Sequence, residues 1–105
     1  MIFVETSVFT EDLQQALPDD EYSELQKALR LDPERGDLIP GSGGLRKLRW
    51  NLPNKGKRGG VRVIYYWAVA RDLIYLLLIY KKAQQENLTP DELKALKGLV
   101  KREFK

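Results

Sequence analysis

Apolar residues recur along this chain with two different periods, and each change of period marks an element. Residues 1–5 are short, mostly apolar and β-favouring, and predict a strand. From Thr6 the spacing becomes helical. Phe9, Leu13, Ala16 and Leu17 fall on one side, Thr6 or Ser7 supplies the cap, and Pro18 ends the segment. A second helix follows at once. Asp19 and Asp20 can cap it, acids in its first turn suit the helix dipole, and Tyr22, Leu25 and Leu29 form its apolar stripe until Asp32-Pro33 stops it. Two helices joined so tightly predict a hairpin.

Arg35-Gly36-Asp37 reads as a turn and residues 40–44 as a glycine-rich lead-in. Residues 45–52 and 61–69 read as strands, separated by a basic loop over 53–60. After a turn at Ala70-Arg71-Asp72, residues 73–80 form an eight-residue apolar run. Being apolar on both faces, that strand should lie inside the sheet. Thr89-Pro90-Asp91-Glu92 opens a last helix: Thr89 caps, Pro90 takes the first helical position and Glu92 can close a capping box. Leu93, Leu96, Val100 and Phe104 line one side of it. The order is therefore β-α-α-β-β-β-α. It predicts an α+β fold, a mainly antiparallel sheet with the helical hairpin on one face and a C-terminal helix, and with its other face able to stay open. No repeat or linker divides the chain, so residues 1–105 are expected to form one domain.

Charge changes this picture more than composition does. At 43% hydrophobic and 31% charged residues the chain is of globular type. Its net charge is only +3, yet residues 1–37 carry ten acids and three bases, whereas residues 38–105 carry fifteen bases and five acids. Between Gly41 and Arg71 there are eight bases and no acid. Clustering of this kind marks a surface for polyanions. The N-terminus lacks a basic leader, and the longest apolar run falls well short of the roughly 20 residues of a membrane helix. A cytoplasmic chain without membrane contact is expected.

Strand alternation then assigns faces. Lys47 and Arg49 share one, while Arg46, Leu48 and Trp50 share the other. Arg62 stands with Ile64 and Tyr66, opposite Val61, Val63, Tyr65 and Trp67, the better core set. At the end of the last strand Tyr80 and Lys82 point together. Antiparallel pairing could gather Lys47, Arg49, Arg62 and Lys82 on one open face, rimmed by Lys55, Lys57 and Arg58. A basic face also protects a sheet from edge pairing, which is the alternative reading. Cations beside tyrosines suit RNA, with Tyr66 and Tyr80 the candidates for stacking on bases.

The chain has neither histidine nor cysteine, so imidazole and thiolate chemistry are excluded, and no metal or cofactor site is expected. What remains is acid–base and electrostatic chemistry by lysine and arginine. That suffices for RNA, which carries its own nucleophile in the 2′-hydroxyl. Arginine can hold phosphate oxygens bidentately as charge develops. Lysine can accept a proton if neighbouring cations lower its pKa.

At three stretches the sequence resembles the RelE/HigB toxins of bacterial type II toxin–antitoxin modules. They are Gly43-Gly44-Leu45-Arg46-Lys47-Leu48-Arg49, the run from Gly56 through Gly60-Val61-Arg62 to Tyr66, and Leu78-Ile79-Tyr80-Lys81-Lys82. The closing run from Asn87 to Leu93 is also similar, so the resemblance spans nearly the whole chain. It implies a RelE-like fold and metal-independent, ribosome-dependent cleavage of mRNA. It implies Lys47 as proton acceptor, with Arg49 on phosphate, Arg62 at the transition state and Lys82 as a further catalytic cation. The family's C-terminal tyrosine is replaced near Leu88, which leaves the acid for the leaving 5′-oxygen unassigned. Arg46, Lys55, Lys57, Arg58, Tyr66 and Tyr80 are the expected RNA- or ribosome-contacting residues. The partners implied are the ribosome, mRNA and a cognate antitoxin, of helix-turn-helix, HigA-like type. Two other readings stay open, a ParE-like gyrase inhibitor and a noncatalytic RNA- or ribosome-binding module.

Overall fold

The computed structural model describes residues 1–52 and 59–104. Strand β1 (Ile2–Glu5) leads into a hairpin of α1 (Ser7–Ala16) and α2 (Asp19–Leu31). Then come β2 (Asp37–Leu38), β3 (Leu45–Trp50), β4 (Val61–Ala68), β5 (Leu73–Lys81) and α3 (Pro90–Phe104). The five strands form one sheet in the order β1-β5-β4-β3-β2. Only β1 pairs in parallel, with β5, and the other pairings are antiparallel. The β4–β5 turn is a single 3₁₀ turn over Val69–Arg71.

Local chemistry explains most boundaries. Thr6 caps α1 by accepting a hydrogen bond from the Phe9 amide at 3.1 Å. At α3 the reciprocal box is complete: Thr89 N donates to Glu92 Oε1 at 2.9 Å, and Glu92 N donates to Thr89 Oγ1 at 3.1 Å. The α2 cap differs from expectation. Pro18 occupies the cap position, so Asp19, Asp20 and Glu21 lie inside the first turn. There they still meet the positive end of the helix dipole.

The sheet separates two cores. On one face Phe9, Leu17, Leu25 and Leu29 of the hairpin pack on Leu48, Val63, Tyr65 and Leu76. On the other, Val100 with Leu93 and Leu96 packs on Leu45, Ile64 and Leu77. The second face is therefore not left open. The apolar stripe of α3 needs a cover as much as the hairpin does, and the sheet's second face supplies it.

Two further features depart from the sequence pattern. The turn expected at Arg35-Gly36-Asp37 runs into the two-residue strand β2, which adds a fifth strand at the edge. In β5 the pairing shifts from Ile64↔Leu78 to Tyr65↔Leu76, which leaves Leu77 as an extra residue. Leu77 and Leu78 both pack toward α3 as a result, and alternation restarts before Tyr80. β5 is flanked by β1 and β4, as its two apolar faces suggested. Most of the basic loop expected at 53–60, with Lys55, Lys57 and Arg58, lies outside the described residues.

Candidate active site

The β3–β4 register sets Arg49 directly opposite Arg62, and the β4–β5 register sets Arg62 opposite Tyr80. Lys47 stands one row away, opposite Ile64. Pleat alternation thus brings Lys47, Arg49 and Arg62 onto one face, with the directly opposed Arg49 and Arg62 Cβ atoms about 5 Å apart and Lys47 about 7 Å away. Like charges at that spacing repel, and each cation has an oxygen acceptor against it. Arg49 Nη1 donates to Asp37 Oδ2 at 2.6 Å, Lys47 Nζ to Asn87 Oδ1 at 2.7 Å, and Arg62 Nη2 to Glu86 Oε1 at 3.3 Å.

Arg62 is the unusual member. Expected on an open face, it is only 4% exposed. The segment after β5 brings Glu86 against it, and Tyr80 stands opposite it in the sheet. Its Nη1 donates to the Val61 carbonyl at 3.3 Å, while the buried Nε has no partner. Beside this head group, a side chain at Gly60 would crowd Asn51 and the Trp50 backbone. A Cβ there would lie 3.0 Å from Asn51 Oδ1, 3.3 Å from the Trp50 carbonyl oxygen and 3.5 Å from Arg62 Nη1. A guanidinium held this way is preorganised, with one donor unspent and another shared with a half-exposed carboxylate.

The charges tune one another. Partial burial, then the Arg49 charge, draws the Lys47 ammonium below the ordinary lysine range. Arg62 acts in the same direction, while Glu86 and Asp37 oppose it. The Arg62 hydrogen bond holds the Glu86 carboxyl below the ordinary glutamate range, assisted by the Lys47 and Lys82 charges. Lys82 is exposed, just beyond β5, and its amide extends the ladder by donating to the Gly60 carbonyl at 3.0 Å.

Three expected contact residues are placed differently. Arg46 lies on the hairpin side, where it braces the turn before β2: Nη1 donates to the Glu34 and Gly36 carbonyls at 3.1 and 2.8 Å, and Nη2 pairs with Glu34 at 3.2 Å. Tyr66 packs against Phe104 of α3, ring centroids 5.4 Å apart, instead of standing on an open face. Tyr80 is buried, and its hydroxyl donates to the Glu86 carbonyl at 3.3 Å. Burial also pushes that hydroxyl above the usual tyrosine range, so it remains a donor.

Asp37, Glu86 and Asn87 were not singled out from the sequence. A signal for one of them existed: Glu86 is the sole acid between Asp72 and Asp91, and it closely follows Lys81-Lys82. Asp37 and Asn87 carry no such mark, because only strand pairing and the return of the chain toward α3 bring them to the cations.

A mixed sheet packed on both sides by helices, with a lysine and two arginines converging on one face, defines a small α+β protein with a basic site. The chain belongs to the RelE toxin family, since residues 6–105 match the family described as the RelE toxin of the RelE/RelB toxin–antitoxin system. It is thus the toxin member of a toxin–antitoxin pair. Toxins of this family pair with antitoxins and act on ribosomes generally. Its fold is similar to that of a mutant of the E. coli toxin RelE in the free state, at 15% identity and a TM-score of 0.59 over 97% of this chain and 96% of that one. Among the described residues, no helix is long and apolar enough to cross a membrane.

Proposed function

We propose that this toxin is an endoribonuclease that cuts mRNA on the ribosome, using the RNA's own 2′-hydroxyl as nucleophile. The observation that carries the reading is the convergence of Lys47, Arg49 and the sunken Arg62 in adjacent rows of one sheet face. Lys47 accepts the hydroxyl proton. The oxygen attacks the adjacent phosphorus, and Arg62 and Arg49 hold the non-bridging oxygens as negative charge grows there. The bond from phosphorus to the 5′-oxygen then breaks, the departing oxygen takes a proton from water and leaves with the downstream RNA, and a 2′,3′-cyclic phosphate remains. Lys82 adds positive potential at the edge of the site. The Glu86 carboxylate occupies an Arg62 donor that a phosphate oxygen would take, so RNA must displace it.

The deciding experiment is a translation reaction with purified ribosomes, followed by mapping of mRNA 5′ ends. Cuts are expected only when ribosomes are present. Efficient cleavage of free mRNA at the same positions contradicts the ribosome dependence. Gyrase-linked DNA breaks with intact mRNA select the ParE-like reading, and salt-sensitive ribosome binding without any cut selects a noncatalytic module.

The pH dependence gives a test specific to Lys47. Only the neutral amine accepts a proton, so the cleavage rate should rise with pH through the Lys47 pKa. Arg49 lowers that pKa and Glu86 raises it. Arg49→Ala should therefore move the ascending limb to higher pH, and Glu86→Gln should move it to lower pH. Single-turnover rates on programmed ribosomes across a pH series measure both. Limbs that stay in place in both variants would remove Lys47 from the role of base.

A further inference from the structure

Away from the catalytic face, the loop between β2 and β3 and the exposed flank of α3 enclose a groove of about 530 Å³. Its floor is apolar, formed by Leu93, Gly98 and Val100, and residues 41–43 form the facing wall. Lys94, Lys97 and Lys101 stand along its rim, and no acid lines it. None of Lys47, Arg49, Arg62 or Lys82 contributes to it.

We infer that this groove, apolar below and lined by three lysines above, docks an acidic amphipathic segment of the antitoxin. The inference rests on the chain's membership of a toxin–antitoxin pair. The rim lysines are exposed, and among the described residues none of the three takes part in an ion pair. At positions three and seven residues apart they follow one helix flank for about 10 Å. Such a row of uncompensated charge is complementary to carboxylates spaced along a partner's helix or strand.

The floor favours protein over RNA as the occupant. Nucleic acid needs hydrogen-bond donors or stacking rings, and no aromatic residue lines the groove. Its one hydroxyl, Ser42, is spent internally: it accepts from the Leu45 amide at 3.0 Å and donates to the Leu45 carbonyl at 3.3 Å. What the floor can reward is burial of apolar side chains. An occupant with one apolar and one acidic face satisfies both floor and rim.

The test uses the intact toxin and its purified cognate antitoxin, with affinity measured by titration calorimetry. Lys97→Glu combined with Lys101→Glu should weaken binding by about tenfold or more, mainly through slower association at low salt. Gly98→Leu should weaken it without any change of charge, by filling the floor. That variant should fold, because a Cβ at Gly98 meets only the flexible end of Arg102, at 3.4 Å, and leucine favours helix over glycine. Lys27→Glu, an exposed reversal on α2, should bind like wild type.

Wild-type affinity in both groove variants overturns the inference. So does an equal loss in Lys27→Glu, which would mark a general charge effect. Loss of ribosome binding with antitoxin binding intact would make the groove an RNA contact. A change in self-association alone would assign it to a second copy of the chain. Failure of wild-type toxin to bind the antitoxin at all would instead overturn the toxin–antitoxin pairing on which the inference stands.

Discussion

Arg62→Met is expected to slow mRNA cleavage by about 10²–10³-fold, the usual cost of removing one preorganised donor at a developing oxyanion, while the chain stays folded. Methionine suits this test better than alanine. Arg62 is 4% exposed, so truncation to alanine would leave a cavity as well as remove the charge. A thioether chain fills much of the same volume, and replacing a buried ion-paired group by an apolar one of similar size is often neutral for stability. The abandoned partner, Glu86, is 48% exposed and can turn to water. Arg62→Lys should recover only part of the rate, because an ammonium cannot reproduce the two parallel donors of a guanidinium. The measurement is single-turnover cleavage on programmed ribosomes at saturating toxin, with circular dichroism to follow folding. Near wild-type cutting by folded Arg62→Met would show that catalysis lies on another face.

The second large effect is on stability, at a glycine. Gly36→Ala should cost about 1–3 kcal/mol through overpacking, seen as a lower urea midpoint with an unchanged slope. A Cβ at Gly36 would stand 2.8 Å from Tyr65 Cε1, 3.0 Å from the Tyr65 hydroxyl oxygen and 3.1 Å from the Lys47 carbonyl carbon. Tyr65 has no room to retreat. Its ring is fully buried, and its hydroxyl accepts from the Gly36 amide at 2.9 Å and donates to the Pro33 carbonyl at 2.7 Å. Removing that hydroxyl in Tyr65→Phe strands a buried amide, which costs about 1–3 kcal/mol by itself. Because the two changes share one contact, their effects in the double variant should not add. A Gly36→Ala midpoint equal to wild type would show that the turn gives way freely. The consequence reaches the site, since the next residue, Asp37, holds Arg49.

These two residues show where reading the chain by itself stops. The helices and their ends were legible because their causes are local. Thr6 reaches an amide three residues on, Thr89 and Glu92 close on each other, and Pro18 and Asp32-Pro33 interrupt whatever precedes them. The face shared by Lys47 and Arg49 was legible for the same reason, since alternation needs only the strand itself, and Arg62 could be set beside Ile64 and Tyr66. Residues 1–37 and 38–105 also differ in charge at sight.

Pairing and covering were decided by the tertiary structure. A two-residue strand such as Asp37–Leu38 has no period to detect and exists because β3 offers it an edge. The extra residue at Leu77 is invisible in a run that is apolar on both faces, because either register buries leucine. That α3 would lie on the second face, turning Tyr66 inward to Phe104, follows from two apolar surfaces needing each other. Glu86 and Asn87 reach Arg62 and Lys47 across 24 and 40 positions of chain. Period and propensity act over a few residues, whereas a contact of that span is set only when the whole chain has packed.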